Sequence, residues 1–420
     1  MTRLFSERFL HSLEPDERAL VDTTRRLVRE TIGPSADALA QEDVFAADTF
    51  RLLVEHRIIG TAFPRRHGGS DARQRLRIRL VEELGRVCSA AASLVTGADL
   101  SCRAIVAGAS DAVADRLLPA LCNGSIQAAF ALTEPGAGSD VRNLATVAVR
   151  DGNGYRVSGR KKFITRANVA DWYVVIARIR GAAEARTHES AVAGTDDPFV
   201  ALLMPRDAQG LSVSEPTAKL GWFGVPIADL QFDNVSVDAT WRLGQEGEGF
   251  ALAQDALVRA RLGHASMALG RAMGALEIAA TYCCDRNVFG KTLGSHQGVQ
   301  WMLADALTQI EAGRALVDAA AQSYDRGDAD APVQASMAKM YATDLGMKVC
   351  TDALQLSGGR GYLKAFPLER FFRDAKLNQI GEGSSEVHRT VIGRDAVRRL
   401  GDEAMERHPC LPEGMLTTDF

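Results

Sequence analysis

The chain lacks several features that would fix its class at once. Its seven cysteines, at 88, 102, 122, 283, 284, 350 and 410, are odd in number, scattered, and never spaced as CxxC. That spacing argues against a disulfide framework and a zinc site, and it points to a reducing compartment, the cytoplasm. A basic block is also missing: 49 Lys+Arg are interspersed with 53 Asp+Glu for a net charge of −4, and the isoelectric point is about 6.1. Nucleic acid is therefore not an expected partner. The first residues, MTRLFSERFLHSLEPDERALV, carry charges every few positions where a signal peptide needs an unbroken apolar stretch. No run approaches the roughly 20 apolar residues of a membrane span, so no membrane association is expected. Nowhere does GxGxxG stand between a strand and a helix, which disfavours a doubly wound nicotinamide enzyme.

What is present is a chain of 420 residues, 46% of them hydrophobic, enough for two or three domains with a sizeable core. From Pro15 to about Ala120 apolar residues recur at helical spacing. Leu20, Val21, Leu27, Val28 and Ile32 form a stripe that ends before Pro34, Thr49 to Ile59 gives a second helix, and Ile78 to Val106 reads as one or two buried helices. Near Gln127 the character changes to short β-rich runs, QAAFALT, YRVSGRKKFIT, WYVVIARI, FVALLMP, LSVSEP and ADLQFDNVSV, most of them bounded by Gly, Pro, Asp or Asn. These predict a small antiparallel sheet unit. The polar stretch 180–197 predicts a long, mobile hairpin loop. After Gly249 long helices return over Phe250–Arg286, Gln297–Asp325, Ala331–Ser357 and Glu386–Leu400, lengths suited to a bundle. The expected organisation is α+β, with a helical domain over 1–125, a β domain over 126–240, a helical bundle over 241–400 and a tail over 401–420.

Three motifs carry chemistry. In AFALTEPGAGSD (129–140), Gly136 and Gly138 let backbone amides approach a ligand, beside the hydroxyls of Thr133 and Ser139. The same residues also suit a plain turn. In AKLNQIGEGSSEVHR (375–389), Glu382 lies between two glycines, ahead of a helix that starts near Ser384 and Ser385. N-cap chemistry accounts for such a pattern, but a carboxylate held there with apolar Ile380 nearby can also be desolvated into a general base. The third set joins DRNVFGKTLGSHQ (285–297) to QLSGGRGY (355–362) and mixes a cation, an aromatic, an imidazole and an amide at a helix junction. No second ligand stands near His296 at metal spacing.

Taken in order, EPGAGSD, KKFIT, DRNVFGKTLGSHQ, QLSGGRGY, ERFFRDAK and EGSSEVHR resemble the acyl-CoA dehydrogenase family, and the resemblance runs from about Pro15 to Leu400. It implies that family's fold: an N-terminal helical domain, a middle β domain and a C-terminal four-helix bundle. It also implies FAD, with Phe130, Leu132, Thr133, Gly138 and Ser139 lining the flavin and Phe163 and Thr165 covering the other part of the ring. From a neighbouring subunit, Arg286, Val288, Phe289, His296 and Gln297 would meet the pyrophosphate and adenine end, joined by Gln355, Gly358 and Gly359. Ser384 and Glu386 would contact the dinucleotide. Such sharing implies a homo-oligomer, commonly a dimer of dimers, with an electron-transferring flavoprotein as acceptor.

By the same resemblance Glu382 is the catalytic base. It would take the α-proton of an acyl thioester as the β-hydrogen leaves as hydride to the flavin, giving a 2-enoyl thioester. Ser139, Gly383 and Arg261 would lie on the substrate side, and Ala260 at the family's alternative base position leaves Glu382 without a competitor. Val258 stands where an acidic residue usually precedes Arg261, which keeps a carrier-protein thioester open beside an acyl-CoA. Gly381, Ala92 and Thr96 are small where other members set pocket depth, which implies room for a branched, aromatic or polar acyl group. Ala92 also replaces the Arg of glutaryl-CoA dehydrogenases and so argues against decarboxylation. Arg103 could reach a polar substrate, but a structural ion pair or a snorkelling side chain is the favoured reading. The other readings are an oxidase or monooxygenase on this fold, and a non-catalytic scaffold without FAD.

Overall fold

The computed structural model describes residues 4–39, 41–180 and 198–402. The N-terminal helices are α1 (Pro15–Leu27), α2 (Gly33–Leu39), α3 (Ala47–Glu55), α4 (Gln74–Gly85), α5 (Ser89–Gly108) and α6 (Asp111–Cys122). The stripe was expected to stop before Pro34, and it does not. A π-helical turn over Val28–Ile32 joins α1 to α2, which runs through Pro34. Widening the turn ahead of the proline accommodates a ring that would otherwise clash with the preceding turn. The expectation of no span-like run also needs correction, because α5 has the length and the hydropathy (mean 1.3) of a membrane span. It is instead a core helix, 67% buried over that window. Its two charges are paired: Asp99 with Arg77 and Arg259, and Arg103 with Asp255, the ion pair being one of the two readings favoured for it.

The middle of the chain is an eight-stranded sheet of β1 (Ala128–Ala131), β2 (Val147–Asp151), β3 (Gly154–Thr165), β4 (Trp172–Arg180), β5 (Phe199–Pro205), β6 (Leu211–Val213), β7 (Ile227–Asp238) and β8 (Arg242–Leu243). It is mixed rather than antiparallel. β1 and β2 both pair in parallel with β4, along its first and last residues, so the chain between them, 132–146, loops out of the sheet. That excursion carries the EPGAGSD motif. β2 was not anticipated. The loop expected over 180–197 lies outside the described residues beyond Arg180, and so does the tail beyond 402.

Helix α7 (Gly249–Asp285) is the hub. It is buried along most of its length because α4, α5, α8 (Gln297–Arg326), α9 (Ala331–Leu356) and α11 (Leu368–Ile380) pack against it. At Gly270 and Gly274 an added Cβ would meet backbone oxygens of Glu82 and Arg86 at 2.1 and 2.0 Å, so only glycine lets α4 approach this closely. Between α7 and α8 lies a hairpin of β9 (Asn287–Val288) and β10 (Lys291–Thr292), and α10 (Gly358–Gly361) follows α9. The short turn from α11 to α12 (Ser385–Asp402) holds Glu382.

Candidate functional site

Helix α11 ends at Gly381, whose N–H donates to Leu377 O at 2.8 Å. The chain then reverses through two left-handed residues, Glu382 (φ 57°) and Gly383 (φ 93°). For glutamate that conformation costs on the order of 1 kcal/mol, so the surroundings have to hold it. Lys339 on α9, fully buried, donates to Gly383 O at 2.6 Å. His388 on α12 pairs through Nε2 with Glu382 O at 3.2 Å, and since a carbonyl only accepts, that nitrogen carries the proton. A Cβ at Gly383 would stand 3.0 Å from the same Nε2. Asp344 on α9 fixes both flanks: Oδ1 accepts from Gln379 (2.8 Å) and Ser385 (2.7 Å), Oδ2 from Arg389 (2.6 Å). Ser384 Oγ caps α12 by accepting from Val387 N at 3.3 Å.

The Glu382 side chain keeps 21% of its surface exposed, and its basicity is set by burial against two nearby cations. Burial pushes the Glu382 carboxyl above its usual range, and Arg261 and Lys339 pull only partly the other way. Lys339 is itself lowered to about 8 by burial, against the pull of Glu382 and Asp344. Arg261 is buried, with Nε unpartnered, and Glu382 is the charge that supports its ionisation. His264 Nε2 lies 3.9 Å from Glu382 Oε1, and its ring is held near 3 by burial first, then by Lys339, Arg271 and His388. It is neutral at pH 7, so the contact is not an ion pair.

A second group gathers at the sheet. Thr133 O accepts from Lys162 N at 2.8 Å, which joins the 132–146 excursion to β3 next to Phe163, in the strand that ends at Thr165. An irregularity in β3 between Lys161 and Ile164 turns Phe163 (φ 59°) outward, 54% exposed. Gly136 and Gly138 have open space where a Cβ would stand. Phe130 is half-buried, Leu132 buried and Ser139 exposed. Exposed ring, hydroxyls and approachable backbone together fit a planar heterocycle carrying hydrogen-bonding edges. A buried pair braces the excursion: Lys161 Nζ donates to Glu134 Oε1 (2.7 Å) and Leu132 O (2.9 Å), and Glu134 also accepts from Ala145 N and Thr146 N.

The third group stands apart on the β9–β10 hairpin. Arg286, Phe289 (96% exposed) and Gln297 face solvent, and His296 pairs with Val288 O at 3.3 Å. Gln355, Gly358 and Gly359 are likewise exposed, and Glu386 projects from the first turn of α12. Arg286 and Gly359 line a cleft of about 1490 Å³ whose lining does not include Glu382. Ala92 is fully enclosed in the core and Thr96, 7% exposed, packs over Gly263. Gly381 has φ −68°, open to any residue, and an added Cβ would come 3.4 Å from His264 Cε1.

Lys339, Asp344, His264, His388, Glu134 and Lys161 were not singled out in the sequence. Lys339 carried one signal, a lysine on the helix face that also holds Ala335, Ala338 and Ala342. Among the described residues no group of His, Cys, Asp and Glu could hold a metal ion.

Comparison with known proteins covers nearly the whole chain. Residues 14–125, 129–235 and 247–397 match the families described as acyl-CoA dehydrogenase N-terminal, middle and C-terminal domains. Cyclohexane-1-carbonyl-CoA dehydrogenase of Geobacter metallireducens is 36% identical over 91% of this chain and 97% of its own length. Butyryl-CoA dehydrogenase from Megasphaera elsdenii superposes with a TM-score of 0.85 at 30% identity, covering 92% of this chain and 99% of that one. A chain in the structure described as the electron transferring flavoprotein of Acidaminococcus fermentans gives 0.85 at 32% identity, over 92% and 99%.

Proposed function

The chain belongs to the acyl-CoA dehydrogenase family of FAD-dependent oxidoreductases acting on acyl-CoA, and on that premise we propose that it desaturates the Cα–Cβ bond of an acyl-CoA with Glu382 as base. The carrying observation is the turn itself: a carboxylate on strained backbone, pinned by Lys339 and His388, with its basicity raised by burial. FAD, when bound, supplies the acceptor for the β-hydrogen and its electron pair. Thr133, Gly138, Ser139, Phe163 and Thr165 would hold its ring system, and Arg286, Phe289 and Gln297 of a second copy its far end. The chain's own work is to orient the thioester, polarise its carbonyl with the Glu382 N–H, and receive the α-proton on the Glu382 carboxylate. An electron-transferring flavoprotein is the proposed acceptor from the reduced enzyme. The buried, unpaired thiols of Cys88, Cys102, Cys122, Cys283 and Cys350 support a reducing cytoplasm.

A carrier-protein thioester is the second reading. It is favoured by Val258 and by the burial of Arg261, which makes Arg261 a counter-charge within the site rather than an outer contact for CoA. One anaerobic screen of acyl-CoAs and acyl carrier proteins, followed by bleaching of the flavin absorbance, separates the two. Bleaching by no acyl thioester would defeat both readings.

The acyl pocket is proposed to be wide beside the base, in keeping with the ring substrate named for the Geobacter relative. Gly381 needs no glycine backbone, so its lack of a side chain is a matter of space. Gly381→Tyr is expected to lower kcat/KM for cyclohexane-1-carbonyl-CoA by about tenfold more than for butyryl-CoA, because shape decides preference in an apolar pocket. Equal losses on both substrates would mean that Tyr disturbs the turn itself.

A further inference from the structure

His264 is the ring that faces Glu382, and its protonation can be read from its neighbours. Arg271, fully enclosed, donates through Nη1 to Asn378 Oδ1 and through Nη2 to Ser89 Oγ at 2.7 Å. Ser89 in turn donates to Asp374 Oδ2 at 2.6 Å. A guanidinium has only donors, so the Asn378 atom facing it has to be the oxygen. The Asn378 amide nitrogen, with two hydrogens to give, is thereby turned to α7, where it reaches His264 Nδ1 at 3.4 Å, His264 O at 3.5 Å and Met267 Sδ at 3.9 Å. A donor facing Nδ1 makes that nitrogen the acceptor, and in a neutral imidazole the proton then sits on Nε2. Nε2 is the atom 3.9 Å from Glu382 Oε1. Trp222 lies against the other side of the ring, centroids 5.4 Å apart, with its Nε1 donating to Asp374 O.

We propose that His264 is a positioning residue for Glu382, held by Asn378 and Arg271 as the Nε2–H tautomer, which closes onto the carboxylate when substrate binds. At 3.9 Å the contact is longer than a hydrogen bond, and catalytic contacts commonly tighten only in the substrate complex. The inference rests on the reading of Glu382 as base. Four groups bear on that residue: Arg261 and His264 from α7, Lys339 from α9, and His388 from α12 through the Glu382 carbonyl. Arg261 and Lys339 act on the carboxylate as charges. His264 adds a directed N–H, which a charge at longer range does not replace.

The test compares His264→Phe, which keeps a ring against Trp222 without a donor, with His264→Gln, which keeps an N–H. In the FAD-loaded protein saturated with a non-oxidisable acyl-CoA analogue the Glu382 carboxyl is titrated by infrared difference against Glu382→Gln, and kcat for butyryl-CoA, which reports the enzyme–substrate complex, is followed over pH. A donor favours the ionised carboxylate, so its loss is expected to raise the Glu382 pKa in the Phe variant by about one pH unit or more. The acid limb of kcat then moves up by the same amount, and the Gln variant recovers most of the shift. A folded, flavin-loaded Phe variant whose Glu382 titrates as in the wild type in the analogue complex overturns the proposal. If the Phe variant does not fold, histidine ring ¹⁵N spectra of the wild type, assigned with the Gln variant, decide instead: a proton on Nδ1 of His264 overturns it. The infrared titration does not depend on turnover, so failure here is distinct from failure of Glu382 as base, which Glu382→Gln reads by itself.

Discussion

Glu382→Gln is expected to lower turnover on the true acyl thioester by about 10²- to 10⁴-fold, the range a positioned general base contributes, while the protein keeps its fold and its FAD. The amide preserves size and cannot accept the α-proton. Stability should move the other way. Burial raises the folded-state pKa of this carboxyl above its unfolded value, with Arg261 and Lys339 only partly opposing it. A group raised in this way contributes stability below the unfolded pKa and loses it as pH rises through the folded one. The amide carries no such loss. The variant should therefore melt at or above the wild-type temperature near neutral pH, with the difference closing in acid. Thermal melts at two pH values together with anaerobic turnover check both halves. Near wild-type turnover on the best substrate would remove Glu382 from the role of base.

Much of this arrangement was legible in sequence because it is local. Helical spacing marked α7, α8 and α9 closely, and the glycines around Glu382 announced a turn before the turn was seen. What stayed hidden depends on partners far along the chain. Lys339 reaches Gly383, and Asp344 reaches Gln379, Ser385 and Arg389, all from a helix whose sequence reads as an ordinary amphipathic one. β2 was passed over because VAVRD is short and half-exposed, and its parallel partner β4 is supplied by tertiary pairing. Pro34 misled because a proline normally ends a helix, whereas a π turn here takes up its ring. His264 gave no sign at all: a histidine in RLGHASMAL has the look of core, and only Arg271 and Asn378, 107 residues apart, give its Nε2 a direction.

Glu82→Gln is expected to produce a large loss of stability, about 2–3 kcal/mol, because it takes the shared anion from two buried guanidinium groups and leaves Arg79 with Asp318 alone and Arg314 with Glu311 alone. Glu82, Arg79 and Arg314 have side chains only 3, 2 and 3% exposed. Arg314 grips the carboxylate with two nitrogens, at 3.0 and 3.1 Å, and Arg79 donates to it at 2.9 Å. Arg79 also bonds Asp318 at 3.0 Å, and Phe9 stacks against both arginines at 4.7 and 4.8 Å. The cluster thus ties α4 to α8 and fastens the N-terminal segment over both. Burial opposes the charge on Glu82, but Arg314 and Arg79 outweigh it and hold the carboxyl below its usual range. A depressed carboxyl contributes stability above its unfolded pKa and loses it as pH falls through the folded one. Glu82→Gln should accordingly lower Tm strongly at neutral pH and flatten the acid side of the stability profile. Converting Glu82, Arg79 and Arg314 together to apolar residues of similar volume should recover much of the loss, because the penalty comes from buried charge that is left under-compensated rather than from missing contacts, and Asp318 keeps Arg75 as its partner. Since a chain of this size need not unfold in one step, hydrogen-exchange protection of α4 and α8 is the sharper measurement. Unchanged protection in Glu82→Gln would show that the two helices are held by α7 and apolar packing alone.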